Sequence, residues 1–317
     1  MDSNEFFGSP AEIRHRIGAT GSFNLNNVSG DVRVRGTDGD EVVVRARWDH
    51  GGGDRPLPLV VRRTDSSLSI ETEERGGWLG SWSRGSIEFD VTVPSGARVE
   101  IAAVSADIES HHLVGDQSYR TVSGDVLVDA SGGHIAAVSV SGDITITAVE
   151  MAEVNATTTS GDIEAHAKAF DPLRLKTVSG DMNVRGGFTA GPQHTVESVS
   201  GDLSIDAFNG LTVDTKRGLD FTSKKNQMPI VTGDGVARLR FRSLSGDVQL
   251  SGVHGRTTYS TPRAPSAPMA PEQPAPPQPP QPQMSNEDSL EILRALERGE
   301  IDVEEASRRL GGAGTNA

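Results

Sequence analysis

The sequence predicts an all-β fold: a β-solenoid of stacked coils of about 18–21 residues forming two sheets, followed by a Pro-rich linker and a small C-terminal helix-turn-helix. Three observations carry this reading. A Ser-Gly-Asp triplet recurs at a nearly fixed step, the residues behind each triplet alternate apolar and polar, and the composition suits a thin aliphatic core. Aromatics make up 4% of the 317 residues while glycine occurs 36 times, as expected where Val, Ile and Ala fill the interior.

The triplet reads Ser123-Gly124-Asp125, Ser141-Gly142-Asp143, Ser160-Gly161-Asp162, Ser179-Gly180-Asp181 and Ser200-Gly201-Asp202 in the regular part. Outlying copies stand at Ser29-Gly30-Asp31, Ser105-Ala106-Asp107 and Ser245-Gly246-Asp247. Behind it come pairs such as Val126 and Val128, Ile144 and Ile146, or Leu203 and Ile205, with Leu127, Thr145 and Ser204 between them. A period of two with β-branched enrichment is a strand with one buried face. A second strand precedes each next triplet, for instance Ile135 to Val140 and Leu173 to Val178. Two strands and two turns account for one coil, and a single coil buries too little to fold alone. The triplets are read as structural turns, with Gly supplying backbone freedom and Ser and Asp capping nearby N–H groups. The competing reading is a calcium-binding carboxylate ladder. It asks for the denser Gly and Asp pattern of nonapeptide rolls, so the turn reading is preferred.

Residues 1–11 read as a flexible lead and 12–259 as the solenoid, divided into an irregular N-terminal cap region over 12–100 and regular coils over 101–259. Within the cap region, Asp38-Gly39 lies between two alternating runs and predicts a hairpin. Strands follow at Leu57 to Arg62, Leu68 to Thr72 and Glu88 to Val93. Between them lies a Gly- and Ser-rich stretch carrying Trp78 and Trp82. These two are candidate contact residues for a partner or a sugar; the preferred alternative is that they cover an open end of the stack. A last regular coil spans about Val236 to Gly252.

Residues 260–284 are rich in Pro and Gln and form a semi-rigid linker. Over 285–312 the period becomes helical, with Leu290, Leu293 and Leu296 on one face, Gly299 as a stop, then Ile301 and Leu310 in a second helix. So short a pair has no core of its own. Its apolar residues are therefore candidate contacts for a protein partner or for self-association.

A formal net charge of −14 argues against nucleic acid as a partner. No apolar run of membrane-spanning length and no secretory leader is visible, so a cytoplasmic location is expected. The absence of cysteine excludes disulfides and thiolate chemistry. His111, His112, His134, His166, His194 and His254 lack the spacing of metal ligands and read as surface residues. No nucleophile elbow, phosphate loop or dinucleotide fingerprint occurs. Neither catalytic residues nor a metal or cofactor site are assigned, and the chain is expected not to be an enzyme, although β-helical polysaccharide-active enzymes share the architecture.

The leading Val28-Ser29-Gly30-Asp31-Val32-Arg33-Val34, the step Val91-Thr92-Val93-Pro94-Ser95-Gly96 and the iterated coils resemble the bacterial "putative adhesin" β-strand-repeat family, also called Toastrack. The resemblance spans about residues 12–255. It implies a β-solenoid without known catalytic residues, often linked to envelope-stress systems. The stretch Leu296 to Ala306 is similar to the short SHOCT-like helical module, which implies interaction or oligomerisation. The expected function is thus a non-catalytic cytoplasmic scaffold that self-assembles or docks partners, with involvement in an envelope-stress response. An adhesin-type protein that binds polysaccharide or a surface ligand is the alternative.

Overall fold

Alternation of buried and exposed residues translates directly into strands. The computed structural model describes residues 8–49, 56–72, 85–217, 229–252 and 257–259. The N-terminal part contains β1 (Ala11–Arg16), β2 (Ser22–Ser29), β3 (Val32–Thr37), β4 (Glu41–Trp48), β5 (Leu59–Thr64), β6 (Ser67–Thr72) and β7 (Ile87–Pro94). The middle contains β8 (Arg98–Ser105), β9 (Ile108–His111), β10 (Gln117–Arg120) and three long bent strands, β11 (Val126–Val138), β12 (Ile144–Thr157) and β13 (Ile163–Lys176). It is completed by β14 (Met182–Phe188), β15 (Gln193–Ser200), β16 (Leu203–Ala207), β17 (Leu211–Arg217), β18 (Ile230–Thr232), β19 (Ala237–Ser245), β20 (Val248–Gly252) and β21 (Thr257–Tyr259). No helix occurs among the described residues, and none there could cross a membrane. The chain divides into a unit ending at Tyr259 and a second beginning at Ser260. The expected linker and helical module lie outside the described residues.

Pairing sorts the strands into two sheets. Sheet A runs β5, β6, β2, β8, β10, the second halves of β11, β12 and β13, then β15, β19, β17 and β18. Sheet B runs β1, β4, β7, β3, β9, the first halves of β11, β12 and β13, then β14, β16, β20 and β21. Every internal pairing from β6 to β17 and from β7 to β20 is parallel, which is the mark of stacked coils. At both ends antiparallel strands take over: β5, β4 and β1 at one, β18 and β21 at the other.

The expected hairpin at Asp38-Gly39 does not form. β3 and β4 are separated by β7, which pairs parallel with β3 and antiparallel with β4. The coil containing Ser29-Gly30-Asp31 is thereby held between two parallel coils, β6/β7 and β8/β9. With β9 already on the other edge of β3, the insertion places β7 between two partners and carries the parallel stack one coil further before β4 closes it. The C-terminal end repeats the device, since β19 lies between β15 and β17 although it follows both in sequence.

Between the sheets lies the core predicted by the alternation. In β12, Ile144, Ile146, Ala148, Ala152, Val154 and Ala156 are buried. Each fully buried Val or Ile contributes about 1.5–3 kcal/mol, offset by about 1–2 kcal/mol of backbone entropy per ordered residue. Stability therefore comes from stacking many coils.

Polar groups inside are tied to backbone. The Tyr119 hydroxyl lies 2.6 Å from Ser110 Oγ and donates to Gln117 Oε1 at 3.2 Å, and burial pushes its pKa well up. His194, expected at the surface, is fully buried. Its Nδ1 accepts from the Leu173 N–H at 3.1 Å and its Nε2 lies 3.0 Å from the Thr189 carbonyl, while Phe188 meets the ring edge-on. With both nitrogens bonded, the neutral ring closes the corner between β14 and β15, and burial lowers its pKa below the usual 6.5. The unfolded chain therefore takes up the proton first. This contribution to stability is complete above about pH 6.5 and is lost as pH falls below it. The thermal midpoint of the wild type should fall more between pH 7.5 and 5.5 than that of His194→Gln, measured by circular dichroism; equal slopes would contradict the assignment.

Candidate binding surface

Each triplet sits where the chain passes from sheet A to sheet B, and the corners of successive coils stack. Ser105, Ser123, Ser141, Ser160, Ser179 and Ser200 are bridged in series, with Ser29 paired to Ser105 at one end and Ser200 to Ser245 at the other. The Ser N–H donates to the coil before, as from Ser141 to the Val122 carbonyl at 2.9 Å, and the next N–H donates to the coil after, as from Gly142 to the Ser160 carbonyl at 3.2 Å.

One amide at the corner has a side-chain acceptor instead. The N–H of Asp125 donates to Asp107 Oδ1 at 2.9 Å, that of Asp143 to Asp125 at 2.8 Å, and that of Asp162 to Asp143 at 2.8 Å. The series continues through Asp181, Asp202 and Asp247. Each carboxylate thus caps the following coil, not its own turn. The glycines serve the same stacking. A Cβ on Gly142 or Gly201 would overlap the carbonyl oxygen of the glycine one coil earlier.

Two residues ahead of the triplet Ser runs an inward column that is polar in every coil but that of Ala103: Asn27, Thr121, Ser139, Thr158, Thr177, Ser198 and Ser243, all buried. Thr121 donates to the Ala106 carbonyl at 3.2 Å, Ser139 to Gly124 at 3.4 Å and Thr158 to Gly142 at 3.2 Å. Thr177 Oγ1 and Ser198 Oγ have no such partner.

One residue ahead of Ser runs a column of Val28, Val104, Val122, Val140, Thr159, Val178, Val199 and Leu244, apolar except at Thr159, with its first five members half-buried and its last three exposed. Exposure reaches 41% at Val178, 44% at Val199 and 45% at Leu244, high enough that the last three coils carry an apolar strip in water. Farther back on sheet A, Arg174, Lys176, Arg238, Arg240 and Arg242 face outward near its C-terminal end. Arg174 pairs with Glu153 at 2.8 Å and Arg242 with Glu197 at 3.2 Å. Lys176, Arg238 and Arg240 form no ion pair among the described residues. Over these last coils the surface therefore reads, across the coil, as cations, an apolar strip and a row of carboxylates.

Sequence reasoning placed the triplets in one repeat but missed two columns. Their signal was inverted: the position carrying Thr or Ser faces the core, and the one carrying Val or Leu faces water. Trp78, Trp82, Leu290, Leu293, Leu296, Ile301 and Leu310 lie outside the described residues. The stretch with Trp78 and Trp82 joins β6 on sheet A to β7 on sheet B, the connection that in other coils carries the triplet.

Comparison with known proteins bears on this repeat directly. The family model Toastrack DUF4097 matches residues 21–205, which is 185 of the 317 residues. The chain belongs to the Toastrack DUF4097 family. The match runs from the start of β2 into β16. No curated protein matches the chain. Among solved structures, a "putative adhesin" from Bacteroides fragilis NCTC 9343 is 12% identical, with 79% of this chain and 98% of that chain covered and a TM-score of 0.43. A "putative cell adhesion protein" from Clostridium sporogenes ATCC 15579 is 10% identical, with 77% and 100% covered and a TM-score of 0.26. A "putative lipid binding protein" from Parabacteroides distasonis ATCC 8503 is 13% identical, with 78% and 98% covered and a TM-score of 0.26.

Three substitutions in this Toastrack corner separate its parts. Asp143→Asn keeps an oxygen acceptor for the Asp162 amide and should cost less than about 1 kcal/mol, and Asp143→Ala about 1 kcal/mol or slightly more. Gly142→Ala forces the coils apart and should cost on the order of 3 kcal/mol or more. Denaturant unfolding checks the ranking; a Gly142→Ala protein as stable as Asp143→Asn would contradict it. In the inward column, Thr121→Val should destabilise by about 1 kcal/mol while Thr177→Val, which removes an unpartnered hydroxyl, should be neutral or stabilising.

Proposed function

We propose that this Toastrack protein is a non-catalytic binding scaffold that docks partners along the edge where sheet A meets the triplet corner. The observation that supports this is the apolar column ending in Val178, Val199 and Leu244, exposed on a backbone whose coils are hydrogen-bonded on both sides. Singly exposed apolar residues are ordinary, but a continuous strip of them marks an interaction surface. Its flanking charges give such contacts orientation more than strength.

Residues 285–312 supply, on their sequence, a second contact. Leu290, Leu293, Leu296, Ile301 and Leu310 give it an apolar face, and about 25 residues of Pro-rich chain allow reach of roughly 3.1 Å per residue. Two tethered contacts raise avidity without any new interface.

The test compares three proteins in pull-downs from cell extract and on immobilised polysaccharide: the full chain, Val178→Glu/Val199→Glu, and a truncation after Tyr259. Both variants should keep the β-type circular dichroism of the full chain, and each should lose a large part of the bound material. Capture unchanged in both would sink the scaffold reading. Retention on polysaccharide alone, abolished by the Val178→Glu/Val199→Glu pair, would establish the adhesin-type reading in its place.

A further inference from the structure

We propose that the apolar column pairs with the same column of a second copy, the two stacks lying parallel about a two-fold axis that runs along the column. This rests on the reading of the edge as a docking surface and names its occupant. The argument begins from the order of chemistry across the edge. Relative to the triplet serine, the aspartate stands two after in every coil and the column residue one before, while cations stand three and five before in two of the last three coils (Lys176 and Arg174, Arg242 and Arg240) and three before in an earlier one (Arg120).

A two-fold axis along the column reverses that order on the opposing face. Valine then meets valine, and the cationic side of one copy meets the carboxylate side of the other at the same level. Lys176 comes opposite Asp181 of the second copy, and Arg240 and Arg242 come opposite its Asp247. The acids at these positions are already paired with a neighbouring coil's arginine, Glu197 with Arg242 at 3.2 Å and Glu100 with Arg120 at 2.7 Å. An axis across the column would instead face cations with cations, at a cost in like-charge contact.

Spacing selects the same occupant. The column repeats at every coil, at about 4.8 Å along the stack, so its ridges match over their full length only a surface of the same pitch. A second copy has that pitch by construction. Isologous pairing of this kind is the commonest form of assembly for a soluble chain.

Size sets the strength. Eight column positions span seven intervals, roughly 34 Å at that pitch. With a strip roughly 15 Å wide, about 500 Å² is covered per copy and about 1,000 Å² in all, the lower end of a specific interface. The pairing is therefore concentration-dependent and weakened by salt, because its flanking charges are exposed.

The native chain has no cysteine, so single cysteines in the full-length protein report the geometry cleanly. Val122→Cys, Val178→Cys and, as control, Leu127→Cys on the outer face of sheet B, 37% exposed, are treated with a short bis-maleimide. Covalent dimer should form from Val122→Cys and Val178→Cys at least about tenfold faster than from Leu127→Cys, because pairing raises the local concentration of like positions. Raising salt should lower that rate. In a mixture of the two column variants, 122–122 and 178–178 dimers should predominate over 122–178, because the axis keeps equal levels together. Equal rates at all three sites, or free formation of the mixed dimer, would overturn the proposal. If the column variants fail to cross-link while Val178→Glu/Val199→Glu still abolishes partner capture, the pairing is wrong and the docking edge stands.

Discussion

Everything in this fold depends on how closely two coils approach at the Ser-Gly-Asp corner. There the glycine lies over the carbonyl of the matching residue in the coil before, Ala106 beneath Gly124 and a glycine beneath the others, leaving no room for a Cβ at Gly124, Gly142, Gly161, Gly180, Gly201 or Gly246. That approach turns the chain from one sheet into the other without breaking the ladder between coils. It also leaves one amide per corner to be bonded by a side chain, which is why aspartate follows glycine. A hydrogen bond to a charged acceptor contributes about 1.5–3 kcal/mol in shielded settings, and exposure at the corner reduces that figure.

The same constraint explains the surface. A corner this tight fixes the register of every neighbouring residue, so side chains fall into columns whether or not their own chemistry requires it. Polar residues two before the serine are drawn inward, where several bond a corner carbonyl. The residue between them and the serine points out, and at Val178, Val199 and Leu244 it is apolar in water. The docking edge proposed for this Toastrack protein is thus a by-product of stacking geometry. The two ends follow a different rule. Antiparallel strands cover the stack at β5 and β1 and at β18 and β21, so the parallel coils do not offer bare edges.

Much of this was legible in the sequence because the repeat signal is local. Val-Ser-Gly-Asp followed by alternating residues is enough to place β11 to β16, and the inward positions Ile144, Ile146, Leu203 and Ile205 follow from parity alone. What the sequence concealed was non-local. The insertion of β7 between β3 and β4, and of β19 between β15 and β17, is a choice among pairings that the same local pattern allows. His194 looked like a surface residue because its partners, the Leu173 amide and the Thr189 carbonyl, are backbone groups that no motif announces. The carboxylate ladder was read as turn capping because sequence alone cannot tell a bond within a coil from one to the coil beyond it. The candidate docking edge was hidden for a related reason: hydropathy assigns Val178 inward and Thr177 outward, the reverse of their positions.

The central claim is that the aspartate amides are bonded between coils by the side chains of the coil before. Amide hydrogen exchange read residue by residue tests it most directly. The N–H groups of Asp143, Asp162 and Asp181 belong to exposed residues, yet they should exchange as slowly as those of the flanking strand residues Ile144, Ile163 and Met182. In Asp143→Ala, protection should fall selectively at Asp162, the amide that loses its acceptor. Fast, loop-like exchange at these aspartates in the wild type, or no selective change at Asp162 in the variant, would contradict the account.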